Sequence, residues 1–505
     1  MEFRRASLRI TYDNRGYIIL FTVAFLIRIL PELLSWPWLI GWDTPEYVAN
    51  LKDFVVRPTI LDKSVWYGGS RLLPPLLNIF LYPLTFLIDP WYIYKIIPPV
   101  IYGIEAMAFY YLTGSLQLSR EARYLSTLTF VFYPVSLRIS WDLHRNSLGL
   151  IFLIGLLAEI IRDRNPWKIL ILSAGAFLSN EFTFVLAFLL LGVSLLEDLI
   201  AKPRSKGMIP KLLALLLGLL VLLVLLTTYR LSDVIYLSSR IDLLRTIQAK
   251  LVPTVLFFLP LLILLPIGLK EMKDKYLLLF LIFTAFFAFS DILVPGLKLP
   301  VWNRWMYHLV MPLSIYASVG VMKVGGRSIY LLFILLLGVT FASAPYHPEK
   351  RSISALEEQI RLSGFSTDLS SVISVMREIG KGTGMTYTMM HTTVPIEQES
   401  DYMRASLHLA DMKLDTLIVD FGGYGFVHIE RRFGLNITPV HLSMEWKVPS
   451  HILRYLVVRG VSEFYVLGER GMRIILHKSS SFSLYVTKQR DFGSLTLYRC
   501  SIIRG

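Results

Sequence analysis

The sequence predicts an α-helical polytopic membrane domain of about eleven transmembrane helices, followed by a smaller extracytoplasmic α/β domain. Three observations predict it. The 505 residues are 54% hydrophobic and only 17% charged, with a mean hydropathy of +0.56, whereas soluble domains carry about 25% charged residues. The apolar residues lie in runs such as Tyr17–Leu34, Lys211–Thr227 and Tyr276–Asp291, long enough to cross a bilayer as helices. From about Tyr346 the chain becomes mixed and ordinarily charged. The division falls into a membrane domain, 1–345, and a soluble domain, 346–505.

The net charge of +14 does not point to nucleic acid, because most Lys and Arg occupy short loops between apolar runs, where they orient helices. The one cysteine, Cys500, excludes an intramolecular disulfide and a cysteine-based metal site. The first apolar run has no small-residue cleavage site and reads as an uncleaved helix.

Charge sets the threading. Arg4, Arg5, Arg9 and Arg15 place the N-terminus in the cytoplasm of a plasma-membrane protein. Helix 1 then exits near Trp36, and Gly41–Arg71 lies outside. The next apolar stretch, Leu72–Ile88, contains Pro74, Pro75 and Pro83; proline interrupts helices, so this stretch either crosses or lies along the outer interface as a broken helix, and the charge of the later loops selects the interface. With that choice helix 2 (92–116) runs inward to Arg120 and Arg123. Every later basic loop then also falls inside: Arg162–Lys168, Lys202–Lys211, Lys270–Lys275 and Lys323–Arg327. The outer turns fall near 138–146, 179–182, 229–250 and 293–303, and the last span, 328–344, leaves the C-terminus outside. The tail alternates helical stretches such as Thr367–Ile379 with β-rich runs at Thr416–Asp420, Glu463–Leu467 and Ser483–Lys488. Tyr485–Arg499 reads as a hairpin around Asp491, Phe492 and Gly493. Asn436-Ile437-Thr438 matches a glycosylation acceptor followed by Pro439.

Ionisable groups inside a bilayer are costly unless paired or wet. Arg28 and Glu32, four apart in helix 1, share a face and pair. Glu105, inside helix 2, has no local partner in sequence; a structural pair and a functional carboxylate are both open for it. At the outer face, Trp42-Asp43-Thr44-Pro45-Glu46-Tyr47 fits a helix N-terminus, with Asp43 as cap and Glu46 completing a capping pattern. Ser140-Trp141-Asp142-Leu143-His144-Arg145-Asn146 reads by default as a solvated loop. Asp142 and His144 within it form an oxygen and nitrogen pair capable of sharing a divalent metal, Mg or Mn. Asn180 and Glu181 read as a helix cap, and Lys298, Asn303 and Arg304 precede helix 10, as snorkelling cations or as a phosphate site.

This layout resembles the GT-C superfamily of polytopic membrane glycosyltransferases, which includes oligosaccharyltransferase catalytic subunits, protein O-mannosyltransferases and the aminoarabinose transferases of lipid A. The matching parts are a first external loop opening with an acidic residue (Gly41 to Tyr47), a juxtamembrane helix (Leu72–Ile88) and a second acidic loop (Trp141 to Asn146). A terminal soluble domain completes the likeness. Trp302-Asn303-Arg304-Trp305-Met306 is similar to late-helix segments of prokaryotic, particularly archaeal, members. The Trp-Trp-Asp-Tyr-Gly signature of the oligosaccharyltransferases is missing from the C-terminal domain, which argues against sequon glycosylation.

The resemblance implies a polyprenyl-phosphate-linked sugar donor, inversion at the anomeric carbon and an extracytoplasmic acceptor. The catalytic candidates are Asp43, as the carboxylate that takes the acceptor proton, and Asp142, which orients the sugar or holds the metal with His144. Arg304, with Lys298 in reserve, binds the donor phosphate, and Glu46, Arg145 and Glu181 complete the substrate-binding set. A lipid or sugar transporter or flippase, and a non-catalytic membrane scaffold, are the alternatives. Transporters place sites near the midplane between matching halves, and no matching halves are found here.

Overall fold

The computed structural model describes residues 14–343 apart from short stretches, the longest being 59–63, 202–206, 227–235 and 238–242, together with segments between 401 and 504. The expected helix at Thr367–Ile379 and the acceptor tripeptide at Asn436 lie outside the described residues.

Helix α1 (Asn14–Leu34) is the first apolar run. After a turn at Gly41, whose φ of +96° suits a residue without Cβ, α2 (Thr44–Val56) begins. A small hairpin, β1 (Ser64–Trp66) with β2 (Gly69–Arg71), follows. The proline-rich stretch then forms α3 (Leu76–Leu81) and a 3-10 turn through Phe86. Its eleven residues, Leu76–Phe86, are too few to span about 30 Å of hydrocarbon.

Helix α4 (Pro90–Ser115) starts where its sequence dictates: Asp89 accepts a hydrogen bond from Trp91 N, and Pro90 takes the first position, where no N–H is required. Helix α5 (Arg120–Phe132), capped by Ser119, stops before Pro134 because the residue preceding proline is driven extended; Tyr133 has ψ 134°. Helices α6 (Pro134–Asp142) and α7 (His144–Arg162) follow with only Leu143 between them. Then come α8 (Pro166–Ser179), α9 (Glu181–Ala201) and α10 (Met208–Leu226). The remaining helices are α11 (Leu243–Leu262), α12 (Leu265–Glu271), α13 (Lys275–Ala288) and α14 (Ser290–Leu293). They are followed by α15 (Trp302–Tyr307), α16 (Val310–Val324) and α17 (Arg327–Ser343). A two-residue pairing of Tyr236–Leu237 with Leu297–Lys298 links the segments before α11 and α15.

Among the described residues, five helices are long and apolar enough to cross a membrane, and five further apolar helices have 10–17 residues. Many leucines of α9 and α10 face outward: Leu196 is 59% exposed and Leu223 63% exposed. Outward leucines on helices this apolar suit lipid, not water. This is a polytopic helical membrane protein.

The core lies where α4 packs on α1 and α7 and where α7 meets α8 and α9. Backbones come unusually close at Gly268 of α12 and Gly320 of α16. A Cβ on Gly268 would stand 2.0 Å from Tyr316 O, so only glycine allows that approach.

Beyond residue 400, five strands form a sheet in which Phe482–Phe492 and Leu495–Arg504 pair as a hairpin through a tight turn at Gly493. Leu495–Arg504 continues antiparallel onto Glu463–Glu469, which pairs in parallel with Ile418–Asp420. Asp401 accepts from Ser494 N and Ser494 Oγ at 2.7 Å and pins the turn.

Candidate active site

One end of the bundle gathers the residues that close the Gly41 turn, the α6–α7 break, the α8–α9 junction and the start of α15. Asp43 immediately precedes α2, and its backbone carbonyl accepts from Tyr47 N as the helix begins. Its carboxylate, buried to 5% exposure, meets Arg304 of α15, with Nη2 3.1 Å from Oδ2. Those residues are 261 apart in sequence. The carboxylate expected to take the proton and the arginine expected to bind the phosphate are thus in direct contact.

Tyr47, one turn into α2, lies behind Asp43. The Arg145 guanidinium stands over the Tyr47 ring, 6.0 Å from its centroid. Burial raises the Tyr47 phenol above its ordinary pKa, and the Asp43 charge adds to this while Arg145 and Arg304 oppose it. The phenol therefore stays a hydrogen-bond donor at neutral pH. Arg145 in turn faces Glu181 at 3.7 Å. Asn180 caps α9, its Oδ1 accepting from Phe182 N at 2.9 Å, and its amide donates to Glu181. Asp43, Tyr47, Arg145, Glu181 and Arg304 thus form one alternating chain of charge and hydrogen-bonding groups.

The stretch Ser140–Asn146 is not the solvated loop expected from its polarity. It is the end of α6 and the start of α7, and Ser140, Trp141, His144, Arg145 and Asn146 are all buried. Trp141 O and His144 Nε2 both engage Thr44 Oγ1, at 3.1 and 2.9 Å. The His144 ring packs in a cluster with Tyr47 and Tyr94, with centroids 5.1 and 5.5 Å away and the two tyrosine centroids 6.0 Å from each other.

The Asp142, Glu46, Lys298 and Asn303 side chains lie outside the described residues. Among the described residues no group of three or more His, Cys, Asp or Glu side chains could hold a metal ion. Of the expected Asp142 and His144 pair only the histidine side chain is described, and its Nε2 faces the Thr44 hydroxyl at 2.9 Å.

Sequence reasoning missed several contributors. Lys250 of α11 and Asp291 of α14 pair at 2.6 Å, both nearly fully buried, and Lys250 Nζ lies 5.0 Å from the Trp302 ring centroid. Their signal was available: two charges beside apolar runs. His308 accepts from or donates to no side chain in that set, but its Nδ1 lies 2.8 Å from Arg304 O, tying α15 into α16. Since a carbonyl only accepts, Nδ1 carries the proton. Arg28 and Glu32 do pair, at 2.9 Å, and Lys95 of α4 joins Glu32 at 3.0 Å. Arg28 Nε also donates to Ser140 O, which ties α1 to the end of α6. Glu105 is buried in the seam between α4 and α7, beside Ser147.

A helical bundle of this topology, with charged groups converging at one end, is a polytopic helical membrane fold. The chain is similar to ArnT from Cupriavidus metallidurans bound to undecaprenyl phosphate, with a TM-score of 0.53 and 13% identity over 96% of this chain and 98% of that one. The apo state of the same protein gives 0.52 and 12%, with the same coverage. No family model matches the sequence, and no curated protein matches it. At this identity the likeness establishes the fold.

Proposed function

We propose that this protein is an inverting GT-C membrane glycosyltransferase that takes a sugar from a polyprenyl-phosphate donor and passes it to an acceptor outside the cell. The observation that carries the proposal is the contact of Asp43 with Arg304 at 3.1 Å, within a fold shared with a protein solved bound to undecaprenyl phosphate. In this reading the chain threads the plasma membrane eleven times, with a cytoplasmic N-terminus. The sheet beyond residue 400 belongs to an outer α/β domain that starts near 346. The Trp302–Met306 phrase supports an archaeal-type member, and the transferred sugar is a hexosyl or related group.

The chemistry asks little of the protein. The acceptor oxygen forms a bond to the anomeric carbon from the face opposite the phosphate, and the carbon–oxygen bond to phosphate breaks. The acceptor proton passes to Asp43, which acts late, once positive charge has built at the anomeric carbon. The electron pair leaves with the polyprenyl phosphate, whose charge Arg304 meets through charge-assisted hydrogen bonds. Arg145 and the protonated Tyr47 phenol supply further donors one turn away. Glu181 orients Arg145.

The test is a reconstituted assay with radiolabelled polyprenyl-phosphate hexoses and a crude envelope acceptor, reading sugar transfer and released polyprenyl phosphate. Wild type should release the lipid phosphate; Asp43→Asn should lower kcat by about 10²- to 10⁴-fold, the usual contribution of a positioned base. Movement of labelled undecaprenyl phosphate across vesicles with no bond cleavage would instead identify a flippase. Undiminished turnover by Asp43→Asn would remove the proposed base.

A further inference from the structure

The two bonds at Thr44 Oγ1 assign a role to His144. A threonine hydroxyl has one proton, and the Trp141 carbonyl can only accept. The hydroxyl therefore donates to Trp141 O at 3.1 Å and accepts at 2.9 Å from His144 Nε2, which must carry a hydrogen. Thr44 is fully buried and is covalently next to Asp43. The first residue of α2 is thus gripped twice by the α6–α7 break, by a carbonyl on one side and an imidazole on the other. The imidazole is buried to 1% exposure and packs against the adjacent rings of Tyr47 and Tyr94.

We infer that His144 is a positioning residue: through its Nε2–H bond to Thr44 it sets the start of α2 and so aims the Asp43 carboxylate at Arg304. This rests on the transferase reading for its effect on rate, but not for its geometry. It also replaces the metal role that the Asp142 and His144 spacing invites. A ring whose Nε2 holds a hydrogen cannot offer that nitrogen to a cation. The partner of Asp43, Arg304, sits on a separate short helix, which meets Lys250 at Trp302 and His308 at the Arg304 carbonyl. A shift of about 1 Å in a reacting group costs on the order of a hundredfold in rate.

Glutamine places an N–H donor close to where Nε2 stands, whereas asparagine falls short of it. The expected result is that His144→Gln retains most of the transfer rate, while His144→Asn and Thr44→Val each lose on the order of a hundredfold in kcat with little change in donor KM. Thr44→Ser should retain the rate. The double variant His144→Asn/Thr44→Val should be no worse than Thr44→Val alone, which already removes the bond that His144 makes. Loss of activity in His144→Gln that excess Mg or Mn restores would overturn the assignment in favour of a metal ligand. Equal rates in all variants would overturn it outright.

A second readout needs no turnover. In a Cys500→Ser background, Asp43→Cys and Arg304→Cys can be bridged by a short bifunctional thiosulfonate in the full chain. Bridging should slow when His144→Asn or Thr44→Val is added, and not with His144→Gln. If wild type transfers no sugar but bridging follows this pattern, the transferase reading fails and the positioning stands. If bridging is indifferent to residue 144, the positioning fails whatever the enzyme does.

Discussion

Glu32→Gln isolates what the buried charges of the first helix do. Arg28, Glu32 and Lys95 are 0%, 2% and 2% exposed. The carboxylate meets Arg28 Nη1 at 2.9 Å and Lys95 Nζ at 3.0 Å. The three side chains carry one net positive charge; the substitution leaves two, and turns an amide N–H₂ toward a cation. Glutamine conserves volume, so the cavity term of a truncation is absent. What remains is the cost of two cations deprived of their buried counter-charge, about 3–5 kcal/mol by the measured range for broken buried pairs. SDS titration in mixed micelles, read by tryptophan fluorescence, would give the loss. Glu32→Gln/Lys95→Met returns the trio to a single positive charge and should recover most of it. A Glu32→Gln protein within about 1 kcal/mol of wild type would refute the reasoning, since that is the scale of a solvated surface pair. Because Arg28 Nε also donates to Ser140 O, the same variant should loosen the α6 end that carries the Thr44 contacts.

Arg304→Ala should weaken binding of undecaprenyl phosphate by roughly 10- to 100-fold, the equivalent of about 1.5–3 kcal/mol for hydrogen bonds to a charged group; titration by intrinsic fluorescence checks it, and unchanged affinity counts against a phosphate role. Burial pushes the Cys500 thiol up to about 12, so at pH 8 it stays protonated and unreactive. A thiol reagent should label Cys500 only after denaturation, and fast labelling of the native protein would contradict its place in the sheet. Gly268→Ala drives a Cβ to 2.0 Å from Tyr316 O. It should cost at least about 1–3 kcal/mol as α12 and α16 separate, read as a lower thermal midpoint in detergent; an unchanged midpoint would mean that the helices do not pack so closely.

The helices were legible because each obeys a local rule. Runs of apolar residues gave their bodies; Asp89, Ser119 and Asn165 cap three of the starts, and α6 begins at Pro134. The hairpin about Gly493 was equally plain, and its two strands pair through Phe492 and Leu495. The charged residues that the structure gathers at the candidate site were conspicuous too, because a charge at the edge of an apolar run is expensive: Asp43, Arg145, Glu181 and Arg304. What sequence could not supply was the partner that satisfies each charge. Ser140–Asn146 looks wet because it is polar, yet the Ser140 and Trp141 carbonyls and the Arg145 guanidinium are met by Arg28, Thr44 and Glu181 from other helices. The Lys250–Asp291 pair was hidden for the same reason, its halves lying 41 residues apart. Thr44 and Tyr47 gave no signal beyond a helix start and an interfacial aromatic.

The direct contact of Asp43 with Arg304 sharpens what the transferase reading requires. A guanidinium carries five N–H donors in a planar fork, so it can serve a carboxylate and a phosphate together, and donor binding need not break the pair. Asp43 then has two duties, holding Arg304 in place while the phosphate binds and taking the proton when the bond changes. The duties separate by substitution. Asparagine keeps an oxygen that accepts from Nη2 but is a far weaker base, so Asp43→Asn should bind undecaprenyl phosphate about as well as wild type and fail in transfer. Alanine removes the acceptor as well. Asp43→Ala should therefore lose affinity too, by a few-fold to tenfold, about the net worth of one ordinary hydrogen bond. Equal affinities for the two variants would show that Arg304 needs no help from Asp43. Tighter binding in both would show that the carboxylate repels the phosphate, and that the pair must open before the donor is seated.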